Sequence, residues 1–197
     1  MNLPDKLTLL RVILAPVFAV VYLLPALLPQ CAGYAAWTVA PLWIIVVIAE
    51  LTDMFDGMAA RRLKQSSDFG KLFDPFADTI MQITAFLCFV IDGIFPVLLF
   101  LVVLYREFGI LLIRNYLLQK GITLGARISG KVKTVVYITA VVTALFCASL
   151  RRLNALEFVQ PLVRIAAVAV FAVSVLFSLV SFLDYVIVCR AAIKSGK

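Results

Sequence analysis

Histidine is absent from the 197-residue chain. That removes Ser–His and Cys–His nucleophilic pairs and every His-ligated metal centre. Catalysis, if there is any, must rest on carboxylates, lysine, arginine or a metal held by oxygen. Charge is scarce as well: Asp, Glu, Lys and Arg make up 15% of the residues, 11 acidic against 18 basic. The four cysteines, Cys31, Cys88, Cys147 and Cys189, have no Cys-x-x-Cys spacing. They read as apolar membrane residues rather than a disulfide framework. There is no internal repeat and no low-complexity linker. No small-residue cleavage site stands out after the first apolar segment, so a cleaved signal peptide is not expected.

What is there is apolar. Hydrophobic residues make up 64% of the chain, and the mean hydropathy is +1.09. These values describe an integral membrane protein, and the length suits one membrane domain over 1–197. The net charge of +7 fits basic loops on one face and anionic headgroups. No basic run is paired with exposed aromatics in a soluble segment, so nucleic acid is not expected as a partner.

Apolar runs and turn residues predict an all-α protein with six membrane helices, at about 8–28, 34–63, 71–91, 94–120, 131–150 and 161–194. Leu3, Leu7 and Leu10 share a face ahead of the first, which predicts a short N-terminal interfacial helix over 2–11. Pro75 is expected in the first turn of the third helix, and Asp92-Gly93 in a tight loop. With six spans, 15 of the 18 basic residues fall on the side holding the N-terminus; only Arg151, Arg152 and Arg164 fall on the other. The positive-inside rule makes the first side cytoplasmic.

Between the second and third runs lies an unusual stretch. Asp53, Asp56, Gly57, Ala60 and Arg61 are followed, eight residues on, by Gly70, Asp74 and Asp78. Asp53 and Asp56 share one helix face, and so do Asp74 and Asp78. Two antiparallel helices would bring all four carboxylates to one pocket. Such carboxylates repel unless a cation joins them, and hard oxygen donors suit Mg²⁺, Mn²⁺ or Ca²⁺. Asp74 is central enough to bridge two ions. Gly57 and Gly70 allow close approach, and Arg61 is placed to grip a phosphate. The bland alternative, a solvated charged loop, sits badly with the cost of acids beside a membrane.

These residues match D-x2-D-G-x2-A-R-x8-G-x3-D-x3-D at every fixed position, and the chain resembles the CDP-alcohol phosphotransferases on that account. The resemblance implies six transmembrane helices, a divalent-metal site of Asp53, Asp56, Asp74 and Asp78, and a CDP-linked donor. It further implies Mg²⁺ or Mn²⁺, two ions, and a homodimer.

A second set of charges lies further on. Arg106 and Glu107 fall inside the fourth run, with Arg114 after them. Gly130, Lys131, Lys133 and Thr134 open the fifth, where backbone N–H groups and ammonium charge can hold phosphate together. Salt bridging around Glu107 and basic flanking of a span are the plain alternatives. With Asn2, Leu3, Pro4, Leu7, Thr8 and Arg11, these residues resemble the family branch whose acceptor is glycerol 3-phosphate.

The expected reaction transfers the phosphatidyl group of CDP-diacylglycerol to glycerol 3-phosphate at the cytoplasmic face of a bacterial inner membrane, releasing CMP. Asp53, Asp56, Asp74 and Asp78 would hold the ions, and Asp78 would take the acceptor's proton. Gly57, Ala60, Arg61 and Gly70 would line the donor site. Arg11, Arg106, Arg114, Lys131 and Lys133 would hold the acceptor phosphate. Phosphatidylglycerol, inositol phosphate or serine as acceptor is the alternative within the same chemistry. A divalent-cation transporter is the alternative from another class.

Overall fold

The computed structural model describes the backbone of residues 3–28, 35–63, 68–119 and 128–194, with side chains over 5–28, 35–55, 73–117, 119 and 132–190. Six α-helices account for nearly all of it: α1 (Leu3–Leu27), α2 (Val39–Leu63), α3 (Asp68–Ile91), α4 (Val97–Gln119), α5 (Ile128–Arg152) and α6 (Gln160–Lys194). No strand occurs among the described residues. Five of the helices are long and apolar enough to cross a membrane, within 5–27, 35–55, 73–91, 132–152 and 160–190. The exception is α4, which has 23 residues but carries Arg106, Glu107 and Arg114 along its length. Its charge, not its length, sets it apart.

Several boundaries differ from those predicted. The residues expected to form a separate interfacial helix are the first turns of α1, which runs unbroken from Leu3 to Leu27. A break there would leave buried polar atoms unpaired, because Thr8 and Arg11 point inward and are occupied. Helix α3 starts at Asp68, so Pro75 lies inside it, not in its first turn. A proline there removes one helical hydrogen bond beside Asp74, a defect that membrane helices tolerate. Helix α5 starts at Ile128, so Lys131 is its fourth residue rather than its first. Of the turn expected at 66–70 and the polar connection expected at 121–130, residues 68–70 are instead the start of α3 and 128–130 the start of α5; their remaining residues, and the loop expected at 29–33, lie outside the described residues.

The helices alternate in direction. Polar contacts join the early turns of α1 and α3 to the second half of α2, and the early turns of α5 to the middle of α4 and the second half of α6. The end of the bundle opposite these contacts is held by Arg151 and Arg152 of α5 and Arg164 of α6. Arg152 donates to Tyr22 O at 2.9 Å and to Thr38 Oγ1 at 2.5 Å. Arg164 donates to Gly93 O at 2.8 Å, and Arg151 to Asp92 O at 3.0 Å. Asp92 also accepts from the Tyr22 hydroxyl at 2.8 Å. The Asp92-Gly93 turn is tight as expected, and Gly93 takes a left-handed φ of 71°, which glycine adopts without steric cost.

Helix α1 packs between α2 and α3, and α5 runs along α6. The close approach of the last pair follows from small residues. Ala140, Ala144 and Ala148 recur every fourth position of α5 and are fully buried, so the two backbones can come near each other. Aromatic rings fill the centre. Phe95 stacks on Phe171 with centroids 3.9 Å apart, and Phe86 meets Phe171 edge-on at 5.0 Å. Leu98, Leu112, Leu162 and Ile165 point outward, as side chains facing lipid do. Cys88, Cys147 and Cys189 are buried free thiols, in keeping with their apolar reading.

Candidate active site

The polar residues of three helices meet at the end where α2 finishes and α3 begins. Asp53 is in the second half of α2, Asp74 and Asp78 on the early turns of α3, and Thr8 and Arg11 on the early turns of α1. The Arg11 guanidinium lies between Asp53 and Asp78. Its Nη1 donates to Asp53 Oδ1 at 2.6 Å and also to Asp78 Oδ1. Thr8 Oγ1 donates to Asp74 Oδ1 at 2.5 Å. The burial is one-sided. The Arg11 side chain is 3% exposed, while those of Asp53 and Asp78 are 41% and 43% exposed. The arginine thus forms a floor, and the carboxylates above it can be reached from outside.

This brings together three of the four aspartates that the spacing singles out. Arg11, expected among the phosphate ligands, lies beside the carboxylates of Asp53 and Asp78. Asp56, Gly57, Ala60 and Arg61 fall on α2, Gly70 on α3 and Lys131 on α5; their side chains lie outside the described residues. Among the described residues no ready-made group of three or more metal-ligating side chains occurs. The donors nonetheless fit a divalent ion chemically. They are carboxylate oxygens, partly open, with neither thiolate nor imidazole beside them.

The second set of charges forms a compact, buried knot. Glu107 accepts from Arg106 Nη1 at 2.8 Å and pairs with Lys133 Nζ at 2.9 Å. Arg106 also donates from Nε to Ser178 O at 3.1 Å and from Nη2 to Ser181 Oγ at 3.2 Å. The Tyr137 hydroxyl donates to Ser178 Oγ at 2.7 Å, and Lys133 Nζ lies 4.4 Å from the centre of the Tyr137 ring. The knot ties α4, α5 and α6 together at the same end as the aspartates. A planar guanidinium with five donors suits such a three-way tie. Arg114 is further along α4 and half-buried.

Beneath the aspartates, toward the middle of the helices, is a cavity of about 30 Å³. Glu50, Gln82 and Thr134 line it together with Arg11, Asp53 and Asp78. Sequence reasoning passed over Glu50 and Gln82, which sit one turn from Asp53 and Asp78 inside otherwise apolar runs. A polar residue one turn from a motif carboxylate was the available signal.

The family model described as CDP-alcohol phosphatidyltransferase matches residues 1–180. A CDP-diacylglycerol–glycerol-3-phosphate 3-phosphatidyltransferase of Treponema pallidum is 37% identical over 193 residues, covering 94% of this chain and 88% of that protein. The protein of the same name from Bacillus subtilis is 36% identical over 143 residues, 71% and 74% of the two chains. That from Escherichia coli is 30% identical over 194 residues, 96% of each. With a match across most of its length and an aspartate site assembled from three of its helices, the chain belongs to the CDP-alcohol phosphatidyltransferase family.

Proposed function

We propose that this membrane transferase moves the phosphatidyl group of CDP-diacylglycerol to glycerol 3-phosphate, giving phosphatidylglycerophosphate and CMP. The names of its relatives support the two substrates. The observation that carries the reading is the meeting of Asp53, Asp74 and Asp78 around Arg11, with the Glu107–Lys133 knot at the same end of the bundle. A carboxylate site beside a cationic one suits a metal-dependent step between two phosphate-bearing substrates.

Members of this family generally depend on a divalent metal, and Asp53, Asp56, Asp74 and Asp78 would hold two ions here. Bound ions supply positive charge against the diphosphate and the departing CMP. The chain's own residues do the rest. Thr8 fixes one oxygen of Asp74. Asp78 takes the proton of the attacking hydroxyl; that oxygen bonds to the phosphatidyl phosphorus as the bond to CMP breaks. Arg61, with Gly57, Ala60 and Gly70, lines the donor site. Arg114, Lys131 and Lys133 hold the acceptor phosphate, and Arg106, committed to Glu107 and two serines of α6, holds α4 against α6.

In this reading all six helices span a bacterial plasma membrane as one domain, both ends of the chain and the aspartates face the cytoplasm, and the protein works as a homodimer. Purified protein with CDP-diacylglycerol, Mg²⁺ and a panel of alcohols tests it. CMP release with glycerol 3-phosphate, and phosphatidylglycerophosphate as the lipid product, are expected. Release with serine or phosphatidylglycerol alone would overturn the acceptor, and no CMP with any alcohol would overturn the reaction.

A further inference from the structure

The cavity under the aspartates is lined in part by Glu50 and Gln82, to which the reaction above gives no role. Its volume of about 30 Å³ admits a water- or hydroxyl-sized group, which needs roughly 10–15 Å³. Gln82 Oε1 is buried there without a hydrogen-bond partner among the described residues. A buried amide oxygen calls for a donor. Glu50, Asp53 and Asp78 repel an anion, which turns the phosphate end of any substrate away. A hydroxyl of the acceptor is small enough to enter and can donate to Gln82 Oε1.

We propose that Gln82 and Glu50 form a subsite for the hydroxyl next to the reacting one, so that the enzyme selects acceptors carrying a vicinal diol. This rests on the function proposed above, in which Asp78 takes the proton of the attacking hydroxyl. Asp78 and Gln82 are one turn apart on α3 and line the same cavity. A second hydroxyl on the neighbouring carbon enters below the first and donates to Gln82 Oε1. Glu50 keeps the phosphate end out and toward the cationic end of α5. Glycerol 3-phosphate has such a diol; an acceptor with an amine beside its hydroxyl does not.

The test compares glycerol 3-phosphate with 3-hydroxypropyl phosphate, which keeps the primary hydroxyl and the phosphate but lacks the middle hydroxyl. CMP release is followed with the full-length wild type and with Gln82→Met, similar in volume but without the amide. The wild type is expected to favour glycerol 3-phosphate in kcat/KM by about tenfold or more. In Gln82→Met that preference should largely vanish, with the rate on 3-hydroxypropyl phosphate and the KM for CDP-diacylglycerol nearly unchanged. Activity on the deoxy acceptor doubles as the control for folding. A wild type that does not discriminate, or a variant that loses both acceptors equally, would overturn the subsite and leave the cavity to water. No CMP from the wild type with either acceptor would instead overturn the proposed function, and the diol subsite with it.

Discussion

Arg11 of α1 and Asp53 of α2, 42 residues apart, are joined by a 2.6 Å hydrogen bond in which the arginine is buried and the aspartate is open to the outside. The guanidinium occupies the space between two carboxylates, Asp53 and Asp78, where a cation is needed. It lowers their mutual repulsion from below, while both carboxylates stay partly open to the outside.

Removing that charge should therefore be felt in stability and in metal response. Arg11→Gln is expected to destabilise the protein by about 1–3 kcal/mol. That is below the roughly 3–5 kcal/mol of a fully buried pair, because both aspartates are partly solvated. Added Mg²⁺ should raise the melting temperature of Arg11→Gln in detergent more than that of the wild type. An equal rise in both would mean that Arg11 and the metal do not serve the same carboxylates.

Asp74 carries the site's shared ligand in this reading, and Thr8 orients it. Asp74→Asn should abolish detectable CMP release while the protein still inserts, and Asp53→Asn should do nearly the same. Thr8→Val should lower kcat about tenfold, near 1.4 kcal/mol of barrier, with little change in melting. Retention of more than about a tenth of the rate by Asp74→Asn would rule out the shared-ligand role.

Glu107 neutralises two buried cations, so its loss leaves both uncompensated. Glu107→Gln is expected to cost about 3–5 kcal/mol. Adding Lys133→Met to Glu107→Gln should recover part of that, because one of the stranded charges goes with it. Unfolding of the four proteins of this double-mutant cycle measures the coupling; additive losses would show that the 2.9 Å Lys133–Glu107 pair contributes nothing.

Acceptor recognition should be separable from donor recognition. Arg114→Ala and Lys131→Ala are each expected to raise the KM for glycerol 3-phosphate about ten- to a hundredfold, the loss of one charge-assisted hydrogen bond. The KM for CDP-diacylglycerol should move much less. Lysine in place of Arg114 should rescue only partly if the grip is bidentate. Equal losses for both substrates would place these cations at the donor site.

Orientation can be read from outside. Phe158, in the turn between α5 and α6, is 85% exposed and lies at the end opposite the aspartates. A cysteine there, on a cysteine-free background, should react with an impermeant maleimide in intact cells. Reaction only after permeabilisation would reverse the topology.

Much of this protein was determined by its sequence alone. Long apolar runs without compensating charge leave helices in a membrane as the one economical solution, and their backbones pair internally wherever they lie. The aspartate spacing needs only helix geometry to put Asp74 and Asp78 on one face, so that part of the site was legible before any packing was known. Tertiary structure decided what no local rule reaches. Arg11 meets Asp53 and Asp78 across 42 and 67 residues, because α1 packs against both α2 and α3. Glu107 claims Lys133 from the next helix, because α4 and α5 both pack against α6. Gln82, to all appearances one polar residue in an apolar span, faces a cavity only because Glu50 and Thr134 are brought to it from α2 and α5. A sequence states which charges exist and which helix face each occupies; which opposite charge each one meets is settled by how the helices pack, since the cost of an unpaired charge in lipid forces every buried one to find a partner.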